Sequence, residues 1–95
     1  MAAGNMIGGT QSIAASGTYD IKPASGVEWN IHNIYYNNQL KLSMTDGTNV
    51  VDFDSDTGQG ARLGLTTHVS NTYWLRITNT GASALLIAYD GMQMV

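Results

Sequence analysis

Apolar and polar residues alternate with a period of two through most of the chain, from residue 11 onward. Such alternation places every second side chain on one face of an extended strand and is typical of half-buried β-strands. The apolar members of the runs are Tyr19 and Ile21; Val27, Trp29 and Ile31; Ile34 and Tyr36; Leu40, Leu42 and Met44; Val51 and Phe53; Leu63, Leu65 and Val69; Tyr73, Leu75 and Ile77; and Leu85, Ile87 and Tyr89. No window has the apolar spacing and capping residues of a helix.

Turn residues separate these runs. Asn37-Asn38, Asp46-Gly47 and Thr80-Gly81 predict tight turns of the hairpin kind. The phase of the alternation slips between Ile31 and Ile34, which predicts a β-bulge near His32-Asn33. Seven or eight short antiparallel strands therefore predict an all-β fold, a single β-sandwich with jelly-roll character over residues 11–95, with a small barrel as the alternative.

The first ten residues differ from the rest. They carry three glycines and small side chains around Met6 and Ile7. We expect residues 1–10 to form a flexible arm that becomes ordered on a partner, with Met6 and Ile7 as its anchors.

Composition favours a protein that sits against other proteins. Charged residues make up 12% of the chain, about half of the usual share of roughly 25%. Gly, Ser, Thr and Asn supply 36 of the 95 residues, and such neutral groups oppose self-association only weakly. The chain has no cysteine, and small domains without disulfides often depend on oligomerisation.

Several classes of function lack the residues they need. The four basic residues are scattered, whereas nucleic-acid binding needs a basic cluster. No apolar run approaches the ~20 residues that span a bilayer, and the N-terminus lacks the pattern of a secretion signal. The two histidines, His32 and His68, are 36 residues apart, and no Gly-x-Ser-x-Gly elbow occurs. We expect no enzyme, no cofactor and no metal site.

One acidic segment needs separate consideration. Asp52, Asp54 and Asp56 alternate like the first ligands of an EF-hand loop, but the twelfth position holds Leu63 in place of a bidentate Glu. The favoured interpretation is an exposed strand face, with Val51 and Phe53 on the other face, where the charges discourage edge-to-edge aggregation. A weak cation site is left open.

The last two strands contain candidates for an interface. If Tyr73, Leu75 and Ile77 face the core, then Trp74 and Arg76 point outward together, and both residue types are enriched in interface hot spots. Leu86 lies opposite Leu85 and Ile87, so both faces of the last strand are apolar. Core and interface are both open for Trp74, and the adjacent Arg76 favours the interface.

The strand and turn patterns over residues 17–91 resemble small β-rich virion proteins of tailed bacteriophages, especially capsid decoration or cement proteins. The runs that carry the resemblance are Gly17-x-Tyr19-x-Ile21-x-Pro23, Val27-x-Trp29-x-Ile31, Asp46-Gly47-Thr48, Asn71-Thr72-Tyr73-Trp74-Leu75-Arg76-Ile77-Thr78-Asn79 and Tyr89-Asp90-Gly91. The resemblance implies a protein without catalytic residues that assembles on the capsid in the bacterial cytoplasm. It assigns no role to an individual side chain.

The function expected from the sequence is therefore that of a capsid decoration protein. Its expected partners are the major capsid protein and further copies of itself, with a trimer favoured because three-fold positions of icosahedral shells need reinforcement. The alternative is a carbohydrate-binding or adhesive module of tail-fibre type, in which an exposed aromatic ring would lie beside carboxylates and amides.

Overall fold

A computed structural model describes residues 4–95, which contain nine β-strands and no helix. The strands are β1 (Met6–Ile13), β2 (Thr18–Ile21), β3 (Glu28–Tyr36), β4 (Leu40–Thr45), β5 (Val50–Asp56), β6 (Gly60–Arg62), β7 (Thr67–Ser70), β8 (Trp74–Asn79) and β9 (Leu85–Gln93). No helix in this part of the chain is therefore long and apolar enough to cross a membrane. The all-β prediction is confirmed, and the strand number exceeds the expected seven or eight.

The strands form two antiparallel sheets that pack face to face. A five-stranded sheet has the order β1-β9-β3-β6, with β7 also paired to β3, and a four-stranded sheet has the order β2-β8-β4-β5. The chain passes repeatedly from one sheet to the other, and this interleaved order is that of a jelly roll. The sheets do not close into a barrel.

The core lies between the sheets and is built from the predicted alternation. The fully buried side chains include Ile21, Ile31, Ile34, Leu40, Leu42, Leu75, Ile77, Leu85 and Ile87. Tyr73 departs from the prediction, because β8 begins one residue later and Tyr73 is 49% exposed. Its carbonyl instead accepts a hydrogen bond from Ser70 N (2.7 Å) at the end of β7.

The predicted bulge is present at His32. The register of β3 against β9 shifts between Ile31 and Asn33, and His32 O accepts a hydrogen bond from Leu65 N at 2.7 Å. Gly91 lies opposite Ile31, and the β3 backbone approaches it so closely that an added Cβ would overlap Asn30 O. The bulge and this glycine together fix the register of the central strand pair.

The N-terminal segment differs from the predicted arm. Residues 6–13 form β1, which pairs along its whole length with β9, and Ile7 is buried in the core at 3% exposure. Gly8 permits this pairing, because a Cβ there would lie 2.7 Å from Tyr89 O. The sandwich therefore begins before residue 11; residues 1–3 of the expected arm lie outside the described residues.

The predicted turns are present, but only one joins neighbouring strands. Asp46-Gly47 closes the β4–β5 hairpin, where Gly47 has φ +95° and Asp46 Oδ1 accepts hydrogen bonds from Thr48 N and Asn49 N. The turns at Asn37-Asn38 and Thr80-Gly81 instead carry the chain from one sheet to the other.

Candidate interaction surface

The outer face of the five-stranded sheet exposes several large apolar side chains. Alternate residues of β9 point away from the core, and neighbouring strands add side chains to the same face according to their register. We call this surface the apolar face; its side chains include Met6, Thr10, Tyr35, Leu86, Ala88 and Met92, with Gly8 among them.

The large side chains of the apolar face are widely exposed. Met6 is 75% exposed, Leu86 51%, and Met92 and Tyr35 are each 40% exposed. Met6 lies directly opposite Met92 in the β1–β9 register. The small residues between them keep the surface shallow, and such a surface can be covered by a flat partner.

A polar cluster lies in the middle of the apolar face. Asn33 Nδ2 donates to Asp90 Oδ1 (2.6 Å), and the Tyr35 hydroxyl donates to Asp90 Oδ2 (3.3 Å). Partial desolvation and the adjacent Asp90 raise the pKa of Tyr35 above its ordinary value. Asn33 Oδ1 also accepts a hydrogen bond from Gly64 N (3.1 Å), so this cluster is held in place from the neighbouring loop.

Beside that cluster lies a shallow depression. Thr10, Tyr35, Asn37, Leu86 and Ala88 are among its lining residues. Asn37 holds its rim, since Asn37 Oδ1 accepts a hydrogen bond from Leu86 N (2.9 Å). An exposed ring, an amide and apolar side chains therefore share one concave patch.

The outer face of the four-stranded sheet has a different character. Trp74 and Arg76 lie on it, opposite the core-facing Leu75 and Ile77, as predicted. Trp74 is nevertheless only 6% exposed, because Lys22 Nζ lies 4.1 Å from the ring centroid and Gly47 packs beside the ring. The expectation that Trp74 is available to a partner is therefore wrong.

Arg76 is also engaged within the domain. Its Nε and Nη2 donate to Asp20 Oδ1 (2.8 Å) and Oδ2 (3.2 Å). Burial would raise the pKa of Asp20, but the hydrogen bonds and charge of Arg76 outweigh it and leave the pKa below its usual value. The bidentate pair links β2 to β8.

The five predicted interface residues thus fall into three groups. Met6 and Leu86 share the apolar face, Ile7 belongs to the core, and Trp74 and Arg76 lie on the opposite sheet. Sequence reasoning missed Tyr35, Asp90 and Met92. The period that exposes Leu86 and Ala88 continues to Asp90 and Met92, so extending it by two steps would have found both.

The acidic segment is held by basic and hydroxyl groups. Asp52 accepts a hydrogen bond from Ser43 Oγ (2.7 Å) and pairs with Lys41 Nζ (3.4 Å), while Arg62 binds Asp54 (2.5 Å) and Asp56 (3.6 Å). The pKa of each carboxyl lies below its usual value: the main cause is the hydrogen bond from Ser43 for Asp52 and that from Arg62 for Asp54. For Asp56 the main cause is the hydrogen bond that the Tyr36 hydroxyl donates to Oδ2 (2.7 Å). No group of three metal-ligating side chains occurs in the described part of the chain.

The environment of this segment corrects the favoured interpretation. Val51 and Phe53 are 62% and 47% exposed and do not face the core. A register shift in the β4–β5 pairing breaks the simple alternation. Asp54 instead turns to Arg62, which lies in the opposite sheet, so this ion pair connects the two sheets across the edge of the sandwich.

The two histidines lie on the paired strands β3 and β7. His68 Nε2 lies 2.7 Å from Glu28 Oε1 at the exposed side of the β3–β7 pair. His32 occupies the bulge described above. His68 agrees with the interpretation of a hydrogen-bonded strand residue, whereas His32 is half-buried.

No family model and no curated protein sequence matches the chain. Among solved structures, it is similar to the Yersinia pseudotuberculosis-derived mitogen, with 14% identity, a TM-score of 0.41 and coverage of 94% of this chain and 86% of the mitogen. It is also similar to the 3,4-ketoisomerase QdtA from Thermoanaerobacterium thermosaccharolyticum, with 10% identity, a TM-score of 0.35 and coverage of 93% and 58%. A third similar structure is the TDP-fucose-3,4-ketoisomerase WlaRA from Campylobacter jejuni, with 8% identity, a TM-score of 0.30 and coverage of 85% and 80%.

Proposed function

We propose that the protein is a structural virion protein of the capsid decoration type, which binds the outside of a bacteriophage head through its apolar face. The observation that carries this proposal is the exposure of Met6, Leu86 and Met92 on one sheet face. The resemblance to phage decoration proteins supplies the kind of partner, the major capsid protein. The site of action would be the capsid surface, after assembly in the bacterial cytoplasm.

The energetics favour the apolar face over the opposite one. Covering uncharged side chains costs little desolvation energy, whereas covering ionised groups costs much more. The outer face of the four-stranded sheet carries the Asp20–Arg76 and Lys41–Asp52 ion pairs. On the apolar face, charge is confined to Asp90 and, beside β7, the Glu28–His68 pair.

The available area suits a specific contact. A standard protein interface buries about 800 Å² on each partner, and the accessible surface of this chain is 5031 Å². A contact of standard size would therefore cover about a sixth of the accessible surface. Repeated copies on a shell would add their contacts together, so a modest affinity for each copy is enough to reinforce the shell.

Binding to capsid shells assembled without this protein tests the proposal. Leu86→Asp places a charge on the apolar face and should weaken co-sedimentation with shells by at least about tenfold, the equivalent of 1.4 kcal/mol. Val51→Asp is the matched control, because Val51 is similarly exposed but lies in the other sheet. Equal binding by both variants and wild type would contradict the proposed face, and absence of wild-type binding would contradict the proposed function.

Carbohydrate binding is a second candidate, supported by one observation. The exposed ring of Tyr35 lies beside the Asp90 carboxylate and the Asn33 amide, the combination that a sugar site uses. Binding to a glycan array that is abolished by Tyr35→Ala but kept by Tyr73→Ala, a substitution of an exposed tyrosine elsewhere, would favour this candidate. The acidic segment does not contribute, since its carboxylates are engaged as described.

A further inference from the structure

The outer edge of β1 is a strand edge without the usual protection. β1 is the terminal strand of its sheet, with β9 as its one neighbour among residues 4–95. It is eight residues long and contains no charged residue and no proline. Natural sheets protect exposed edges with charge, proline, bulges or shortness, because an open edge pairs readily with another strand.

The other edges in the described structure are protected. β5 carries three aspartates and a bulge, and β2 is four residues long and contains Asp20. At the far side of the five-stranded sheet, β6 and β7 have only three and four residues. Thus β1 alone combines length with neutrality.

The hydrogen-bond pattern shows which groups of β1 are directed outward. Gln93 N donates to Asn5 O at 2.9 Å, and antiparallel pairing directs alternate residues to the same neighbour. With the β1–β9 register, this directs the backbone of Ile7, Gly9 and Gln11 toward β9. The amides of Met6, Gly8 and Thr10 therefore point to the open edge.

We propose that two copies of this chain pair through β1, antiparallel about a two-fold axis at Gly8. The pairing would bring Met6 opposite Thr10 of the second copy and Gly8 opposite its own equivalent. Since each of the three residues has an outward amide and carbonyl, the contact forms about six backbone hydrogen bonds. The consecutive glycines at positions 8 and 9 leave both faces free of bulky side chains at the axis.

A second copy is the occupant that fits this edge. A two-fold contact uses the same surface twice, and β1 has no charge that would repel its equivalent. Head-to-tail pairing would require β1 to meet one of the protected edges. The contact uses the single unprotected edge among the described residues of each copy, so it gives a dimer in place of the trimer expected from the sequence. The two five-stranded sheets become continuous, with their apolar faces side by side. It is independent of the proposed capsid role.

Sedimentation velocity over a concentration series tests the pairing. Wild type should reach twice the monomer mass of 10.2 kDa. Thr10→Pro removes an outward amide without changing the pairing with β9, and edge strands tolerate proline at such positions. Because each copy loses one donor, the dimer loses two hydrogen bonds, and its dissociation constant should rise at least about tenfold. Thr18→Pro is the matched control, since Thr18 is an exposed threonine on the edge strand β2. Gly17 O accepts a hydrogen bond from Asn79 N of β8, so the amide of the next residue, Thr18, points to the open edge. This substitution should leave the dimer unchanged.

Hydrogen exchange of the wild type gives a second readout that does not depend on how the variants fold. The Thr10 amide should exchange slowly at high protein concentration and faster on dilution, whereas the Thr18 amide should exchange rapidly at both. A monomer at every concentration, a trimer, or a Thr10 amide that is unprotected at high concentration would overturn the proposal.

Discussion

Gly91 is the position where one added methyl group should cost the most. An alanine Cβ there would overlap Asn30 O and lie 3.0 Å from both Asn30 C and Ile31 Cα. These atoms belong to the backbone of the central strand β3, and no flexible side chain can move aside to relieve the contact. The β3–β9 pairing itself must shift.

The cost follows from this geometry. Overpacking of a folded interior costs about 1–3 kcal/mol, and we expect Gly91→Ala at the upper end, near 3 kcal/mol, since only backbone can move. A domain of this kind has a total stability of about 5–15 kcal/mol. With about 4–8 °C of Tm per kcal/mol for a small domain, Tm should fall by about 12–24 °C.

Urea denaturation and thermal melting followed by circular dichroism measure this loss. Gly9→Ala is the control, because the nearest atoms to its Cβ would be those of the Tyr89 side chain, at 3.6 Å or more. This substitution should leave the free energy of unfolding within about 1 kcal/mol of wild type. If Gly91→Ala were as stable as Gly9→Ala, the close approach of β3 to β9 would be refuted.

Three further outcomes are expected. Ile7→Ala should lower the free energy of unfolding by about 2–5 kcal/mol, because Ile7 is buried in the core. Met6→Ala removes an exposed side chain and should change it by no more than about 0.5 kcal/mol in the same urea titration. Equally small effects of the two substitutions would support a flexible arm in place of β1. Trp74→Ala should lower the free energy of unfolding by about 3–5 kcal/mol, measured by denaturation at a concentration where the protein is monomeric. A variant that is as stable as wild type and defective only in association would contradict the burial of Trp74. Arg62 lowers the pKa of Asp54, so the pair stabilises the fold above the unfolded carboxyl pKa of about 3.9 and stops doing so as the pH falls through the lower folded pKa. The difference in Tm between wild type and Arg62→Met should therefore become smaller from pH 7 to pH 3. A constant difference would show that the ion pair is not the source of the Tm difference.

The fold class was determined by the local pattern of the sequence. Alternation from Tyr19 to Tyr89 predicted the strands, because a period of two suits only an extended chain with one buried face. The phase slip after Ile31 predicted the bulge at His32 for the same reason. Turn residues such as Asp46-Gly47 ended strands where expected, since their backbone preferences act within four residues.

Tertiary structure alone decided which strands are neighbours and which outward side chains remain accessible. The alternation predicts that Trp74 and Leu75 lie on opposite faces of β8, and they do. Trp74 is nevertheless buried, because Lys22, 52 positions earlier in the chain, covers its ring. The glycines of residues 1–10 predict a flexible arm, whereas in the fold Gly8 permits the close contact between β1 and β9. Burial and strand pairing depend on residues that are distant along the chain, and a periodic pattern contains no information about which distant residue will be opposite.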